Sequence, residues 1–153
     1  MANTYTQIYI HVVFAVKGRQ NLIRKEWKEE LHKYIAGIIR NQNQKLIVIN
    51  SMPDHVHILV GLKPDMALSD LVRDIKANSS RFINEKRWVR GRFNWQEGFG
   101  GFSRSQEELE RVIEYIQSQE EHHLKRAFVD EYKEMLEEFR IEFDCKYVFE
   151  KAV

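Results

Sequence analysis

The chain has 153 residues, with 24 lysines and arginines against 23 aspartates and glutamates, so its net charge is +1. This length suits one domain with its own core, and we expect residues 1–153 to form a single domain. Balanced charge neither favours nor excludes a nucleic-acid partner. The single cysteine, Cys145, excludes an intrachain disulfide and is typical of a reducing cytoplasm. Because the sequence has no signal-peptide pattern and no membrane-spanning apolar run, we expect a cytoplasmic protein with no membrane partner.

Hydrophobic spacing predicts six elements in the first two thirds of the chain. They are a strand at 5–16, a helix at 24–43, strands at 45–52 and 55–62, a helix at 68–83 and a glycine-rich strand at 95–103. This order is typical of an α+β, ferredoxin-like βαββαβ fold, with an antiparallel sheet and both helices on one face. The core unit would cover about residues 4–103. Its first and third strands would be central neighbours, which places His11 beside His55 and His57 on the face without helices.

Glycines interrupt two of these elements. Gly37 lies inside the first helix, where a glycine costs about 1 kcal/mol relative to alanine. We therefore expect close packing against the sheet at this position. Gly98, Gly100 and Gly101 lie in the fourth strand, where they would let another backbone or a ligand approach closely.

Two more helices and a tail are predicted after the sheet. Ser105 and Glu108 form a capping box that opens a third helix over about 105–123. Tyr115 and Gln119 lie four residues apart on the border of its apolar stripe, where a tyrosine is usually a packing residue. A last helix is predicted at 128–140, and alternation over 141–149 favours an extra strand or an arm laid on a partner, which completes a C-terminal region of about 128–153.

The third strand begins with a pair of histidines behind a Pro53-Asp54 turn. Side chains of a strand alternate between its two faces, so His55 and His57 point the same way from neighbouring pleats. Two imidazoles on one face can bind a single divalent metal ion. The alternative is a pair of structural histidines that only pack.

A basic segment follows, with seven lysines and arginines against two acids between residues 73 and 92. Basic residues that alternate with tryptophan and phenylalanine suit single-stranded nucleic acid, because cations follow phosphates while rings stack on bases. The alternative is a solvated helix face with buried tryptophan anchors. From this feature alone the two interpretations are equally supported.

Several motifs together resemble one protein family. They are Met52-Pro53-Asp54-His55-Val56-His57, the helix from Tyr115 to His123, Lys17-Gly18-Arg19, Ser79-Ser80-Arg81 and Trp95-Gln96-Glu97-Gly98-Phe99. The combination closely resembles the single-tyrosine HUH transposases of the smallest bacterial insertion sequences, including the relatives that act on repetitive extragenic palindromes. The resemblance covers most of the chain.

The resemblance implies a cytoplasmic enzyme that cleaves and rejoins single-stranded DNA at hairpin ends. By analogy, Tyr115 would be the nucleophile that forms a 5′-phosphotyrosine, and Mg²⁺ or Mn²⁺ would be bound by His55, His57 and Gln119. Such relatives are homodimers with joined sheets, in which the tyrosine helix of one protomer can complete the partner's site. The candidate DNA contacts are Lys17, Arg19, Arg73, Lys76, Arg81, Arg87, Trp88, Arg90 and Arg92.

Three other functions remain open from the residues. The first is a non-catalytic or domesticated nucleic-acid-binding module that uses Tyr9 and His11 as a stacking platform. The second is a hydrolytic metallonuclease, and the third is a structural dimer. No cluster of acidic residues typical of two-metal hydrolysis occurs in the sequence, which favours strand transfer over simple cutting.

Overall fold

The computed structural model describes residues 3–123 and 127–144. Within these ranges the strands are β1 (Tyr9–Ala15), β2 (Lys45–Met52), β3 (His55–Gly61) and β4 (Gly100–Arg104). The helices are α1 (Lys25–Asn41), α2 (Leu68–Lys86), α3 (Leu109–Gln117), α4 (Gln119–His123) and α5 (Phe128–Glu138). None of these helices is long and apolar enough to cross a membrane.

The four strands form one antiparallel sheet in the order β2-β3-β1-β4. The predicted α+β fold with a βαββαβ core is confirmed, and β1 and β3 are the central neighbours. Their register places Val13 opposite His57 and Ala15 opposite His55. The histidine pair therefore lies in the middle of the sheet, at the end of β3 that follows the Pro53-Asp54 turn.

Both helices of the βαββαβ core cover one face of the sheet. Alternate residues of β1 and β3, such as Val12, Phe14 and Ile58, point towards this face and are buried against α1 and α2. The two helices contribute the remaining apolar side chains of this core, including Trp27, Leu31, Ile35, Leu71, Val72 and Ile75. Burial of a side chain of this size contributes about 1.5–3 kcal/mol, so this layer holds the domain together.

The opposite face is also covered, and the expectation of a histidine face without helices is wrong. Val112 and Ile116 of α3 pack on Leu59, while apolar residues of α5 pack on Val13 and Ala15. The physical reason is that the strands carry apolar side chains around the histidines. Exposing this apolar surface to water would cost free energy, and α3 and α5 remove that cost by covering it.

Several boundaries differ from the sequence prediction. β1 begins at Tyr9 rather than at residue 5. β4 begins only at Gly100, because Trp95, where the strand was predicted to start, makes just one isolated bridge, to Val16. The predicted third helix is broken at Ser118, between α3 and α4. Residues 141–144 adopt no regular element, so the predicted strand is absent there. The rest of that prediction, including Cys145, lies outside the described residues.

Both ends of α3 are anchored to other parts of the fold. The predicted capping box is present before the helix, where the Ser105 N–H donates to Glu108 Oε1 at 2.9 Å. This contact lowers the pKa of the Glu108 carboxyl below its usual value. At the other end, the side-chain amide of Asn50 on β2 donates to the Ile116 carbonyl at 2.8 Å. The helix is therefore fixed in both position and rotation about its axis.

Two of the glycines meet different surroundings from those predicted. A Cβ built on Gly37 finds nothing within 4 Å among the described residues, so the expected close packing there is wrong. A Cβ on Gly100 would lie 2.7 Å from Cε1 of Tyr132 on α5. Gly100 thus makes room for a side chain of α5, rather than for a backbone or a ligand.

We expect Gly100→Ala to lower the free energy of unfolding by about 1–3 kcal/mol, because the added methyl group overlaps the Tyr132 ring. The matched control is Gly37→Ala, which should raise that free energy by about 0.5–1 kcal/mol through helix propensity alone. Urea denaturation followed by circular dichroism measures both. Equal effects of the two substitutions would contradict this account of how α5 packs on the sheet.

Candidate active site

The two strand histidines share a carboxylate from a distant helix. His57 Nε2 lies 3.2 Å and His55 Nε2 3.6 Å from Oε1 of Glu131 on α5. All three side chains are buried. The predicted pairing of the imidazoles on one face is therefore realised, and α5 adds an acidic oxygen between them.

Glu131 also contacts the candidate nucleophile. The Tyr115 hydroxyl on α3 donates a short hydrogen bond to Oε2 of Glu131, while Oε1 faces the imidazoles. One carboxylate thus connects the histidine pair with the tyrosine of the same chain.

The prediction from sequence missed Glu131, although one signal was present. In α5 it lies on the same stripe as the apolar residues Phe128, Tyr132 and Met135. An acidic residue inside such a stripe must be buried against a polar partner.

The three side chains fit a divalent metal ion. Their ligand atoms all lie within 4.8 Å of one another. Two atoms at about 2.1 Å from one octahedral ion are separated by about 3 Å if adjacent and about 4.2 Å if opposite. Two imidazole nitrogens and a carboxylate oxygen form a mixed donor set that suits Mn²⁺ and other first-row ions. The same geometry without an ion is a buried contact between a carboxylate and two imidazoles.

Gln119, the predicted third ligand, is buried at the start of α4. Its side-chain Nε2 donates to the backbone carbonyl of Tyr115 at 3.2 Å. The oxygen found between the two imidazoles belongs to Glu131. Ligation by Gln119 stays a prediction.

The other ring nitrogen of each of these two histidines faces a partner. His55 Nδ1 lies 2.7 Å from Asp54 Oδ1, and His57 Nδ1 lies 2.8 Å from Nε2 of His11 on β1. Burial lowers the pKa of His11 well below 6.5, and the nearby His57 and Arg104 lower it further. His11 is therefore neutral near pH 7.

Tyr115 is half-buried beside a cleft of about 200 Å³ between α3 and α5. Its lining includes Arg104, Arg111, Glu134 and Met135. Tyr132 of α5 also packs on this side of the sheet, and burial raises its pKa to about 12. A phenol with such a pKa is a poor source of a nucleophilic oxygen near neutral pH.

α5 covers the histidine pair. The Phe128 ring stacks on His55 with 4.0 Å between the ring centroids, and both imidazoles have no exposed surface. A bulky ligand can therefore reach the imidazoles only if the covering side chains of α5 shift.

A family model described as IS200-like transposase matches residues 4–119. The chain belongs to the IS200-like transposase family. The ISDra2 transposase TnpA of Deinococcus radiodurans is 28% identical over an alignment of 120 residues, and the match covers 74% of this chain and 84% of that protein. The transposase for insertion sequence element IS200 of Salmonella typhimurium is 25% identical over 86 residues, which are 56% of this chain and 57% of that protein.

Two solved structures have the same fold. A protein of Deinococcus radiodurans described as a transposase superposes with a TM-score of 0.63 at 22% identity, covering 78% of this chain and 95% of that one. A REP-associated tyrosine transposase bound to a REP hairpin superposes with a TM-score of 0.61 at 17% identity, covering 80% of this chain and 73% of that one.

The predicted DNA contacts fall into two groups. Lys17 and Arg19 lie in a short 3-10 turn after β1, near the start of the histidine strand, because the Val16 N–H donates to the Asp54 carbonyl at 2.8 Å. The others lie on α2 or in the segment after it, and α2 packs on the opposite face of the sheet from the histidines.

Some members of the second group contact the protein itself. The Trp88 ring stacks on Trp27 at 4.7 Å, and Arg73 pairs with Asp70 at 3.1 Å. Lys76 Nζ donates to the carbonyls of Gln96 and Gly98 at 2.8 and 2.5 Å. Burial lowers the pKa of Lys76 to about 8. By contrast, Arg90 and Arg92 are exposed.

We expect Lys76→Met to lower the free energy of unfolding by about 1–2 kcal/mol, because two carbonyls lose their donor, with little change in DNA affinity. Arg92→Met should leave stability unchanged and weaken binding of single-stranded DNA, with the slope of log K against log salt reduced by about 0.7. Fluorescence anisotropy over a salt series, with urea denaturation, measures both. A salt slope reduced in Lys76→Met instead would assign Lys76 to the DNA interface.

Proposed function

We propose that the chain cleaves and rejoins single-stranded DNA through a covalent 5′-phosphotyrosine on Tyr115. The observation that carries this proposal is the Glu131 carboxylate, which contacts Tyr115 through one oxygen and His55 and His57 through the other. Membership of the IS200-like transposase family supports the same reaction class.

His55, His57 and Glu131 would hold a divalent cation, Mg²⁺ or Mn²⁺, with Gln119 as a further predicted ligand. When bound, this ion would supply Lewis-acid polarisation of the scissile phosphate and orient the strand. Glu131 brings a negative charge that the predicted ligand set lacks, so it also partly neutralises the ion.

The protein's own groups can move the proton that the reaction requires. Tyr115 donates its hydroxyl hydrogen to Glu131 Oε2, so that carboxylate can take the proton as the phenol oxygen attacks phosphorus. The new bond joins the tyrosine oxygen to phosphorus, and the bond from phosphorus to the 3′ oxygen breaks. The same proton can pass to the 3′ oxygen, which leaves a 3′-hydroxyl. Reversal on another strand restores Tyr115 because a phenolate is a fair leaving group.

Single-stranded DNA hairpins are the proposed substrate. The REP-associated tyrosine transposase with the same fold is bound to a REP hairpin, and the exposed arginines after α2 suit a phosphate backbone. A strand would approach Tyr115 through the cleft beside α5, and α5 would shift to admit the phosphate. A homodimer would join through β2 or β4, the two edge strands of the sheet.

We expect Tyr115→Phe to lower the yield of the covalent protein–DNA adduct at least about 10³-fold, because the attacking oxygen is missing. The assay mixes protein and MnCl₂ with single-stranded hairpins that carry randomised flanks, then resolves the products on a denaturing gel. A tyrosine linked to the 5′ phosphate keeps the downstream fragment. A 3′ label should therefore stay with the protein, and a 5′ label should leave on a fragment with a 3′-hydroxyl.

Tyr132→Phe is the matched control and should keep the adduct. An adduct that persists in Tyr115→Phe would reject the proposed nucleophile. Tight DNA binding without an adduct in the wild type would support the non-catalytic binding module, and a 5′-phosphate product without a protein link would indicate a hydrolytic metallonuclease.

We also expect a mixture of His57→Ala and Tyr115→Phe to form no more adduct than either variant alone. The reason is that Tyr115 contacts Glu131 of its own chain, which favours a site completed within one protomer. The same adduct assay measures this after incubation long enough for subunits to exchange, with wild type mixed with each variant as the control. Restored adduct would instead establish that the tyrosine helix completes the partner's site.

A further inference from the structure

In each imidazole of the candidate metal site, the ring nitrogen that points away from Glu131 contacts a different partner. Asp54 Oδ1 contacts Nδ1 of His55, and His11 Nε2 contacts Nδ1 of His57. We propose that His11 is a positioning residue of the metal site, which accepts a hydrogen bond from Nδ1 of His57 and thereby presents the Nε2 lone pair of His57 to the ion. This inference rests on the proposed function, because it assigns a role towards the ion.

The direction of the hydrogen bond follows from the chemistry of imidazole. A nitrogen that binds a metal must offer a lone pair, and a neutral ring carries a single proton. Nε2 of His57 faces Glu131 and is the nitrogen suited to ligation, so the proton belongs on Nδ1. At 2.8 Å, Nε2 of His11 is the atom that can accept it. Fixing ligand histidines through the second ring nitrogen is a general feature of metal sites.

The two partners differ in their access to water. The side chain of Asp54 is 22% exposed, so a water molecule can replace it as the acceptor for His55. His11 is completely buried between β3 and β4, where no such replacement is at hand. Loss of the His11 imidazole should therefore weaken metal binding more than loss of the Asp54 charge does.

A purely structural role does not account for a histidine at position 11. Its Nδ1 is buried and has no hydrogen-bonding partner among the described residues, which costs free energy of folding. Around it lie the rings of Phe102 and Tyr115 as well as His57. A phenylalanine of similar shape would avoid this cost but would leave the buried Nδ1 of His57 without its partner, so stability alone gives histidine little advantage at this position.

The test is titration of the full chain with MnCl₂ by calorimetry, beside thermal unfolding of the metal-free proteins. We expect His11→Phe to weaken Mn²⁺ binding about 10–100-fold with at most a small change in the melting temperature, because the gain at His11 Nδ1 offsets the loss at His57 Nδ1. His11→Gln keeps an acceptor oxygen and should retain affinity within a few-fold of the wild type. Asp54→Asn should have a smaller effect than His11→Phe. In wild-type protein loaded with Mg²⁺, long-range ¹H–¹⁵N correlations should place the His57 proton on Nδ1.

The possible failures are distinguishable. If the wild type binds no Mn²⁺, the metal site of the proposed function fails. If the wild type binds Mn²⁺ and His11→Phe binds it equally well, the role of His11 is overturned. A His57 proton on Nε2 in the Mg²⁺-loaded protein overturns it without any variant. Equal loss of affinity and of melting temperature in both His11→Phe and His11→Gln would show that His11 is only structural.

Discussion

A carboxylate with almost no access to water must find its partners inside the protein, and this constraint organises the site around Glu131. An unpaired charge in the interior costs several kcal/mol or more. Imidazoles from β3 and a phenol from α3 surround the carboxylate, while Phe128 and Met135 of α5 are buried with the sheet residues beside it. Correct docking of α5 and assembly of the polar cluster therefore depend on each other.

The sheet provides the rigid part of this arrangement because both of its faces are covered. One face holds the large apolar core under α1 and α2, and the other holds polar groups inside an apolar frame that includes Val13, Leu59 and Phe102. Because water is excluded from this apolar frame, the local dielectric constant is low and each hydrogen bond within it is stronger. The frame also makes the position of each imidazole depend on neighbours from other strands, as His57 depends on His11.

Sequence patterns predicted the parts of the fold and site that depend on local periodicity. The bounds of β2 follow from a segment rich in isoleucine and valine that ends at the Pro53-Asp54 turn. The shared face of His55 and His57 follows from alternation along a strand. Glu131 was beyond such reasoning, because it lies 74 residues from His57 and only α5 docking brings it there. The covered histidine face was missed for the same reason. The helix break at Ser118 was missed because the sequence has no proline or glycine there.

The anchoring of α3 at both ends has a consequence for how the protein can vary. A capping box fixes its start, and Asn50 fixes its last carbonyls to β2. One residue inserted or deleted between residues 109 and 114 would rotate Tyr115 by about 100° and displace it by about 1.5 Å. The phenol would then miss Glu131 even with every other residue intact. Related chains can thus carry different outward side chains on α3, whereas the number of residues in α3 before the tyrosine must stay the same.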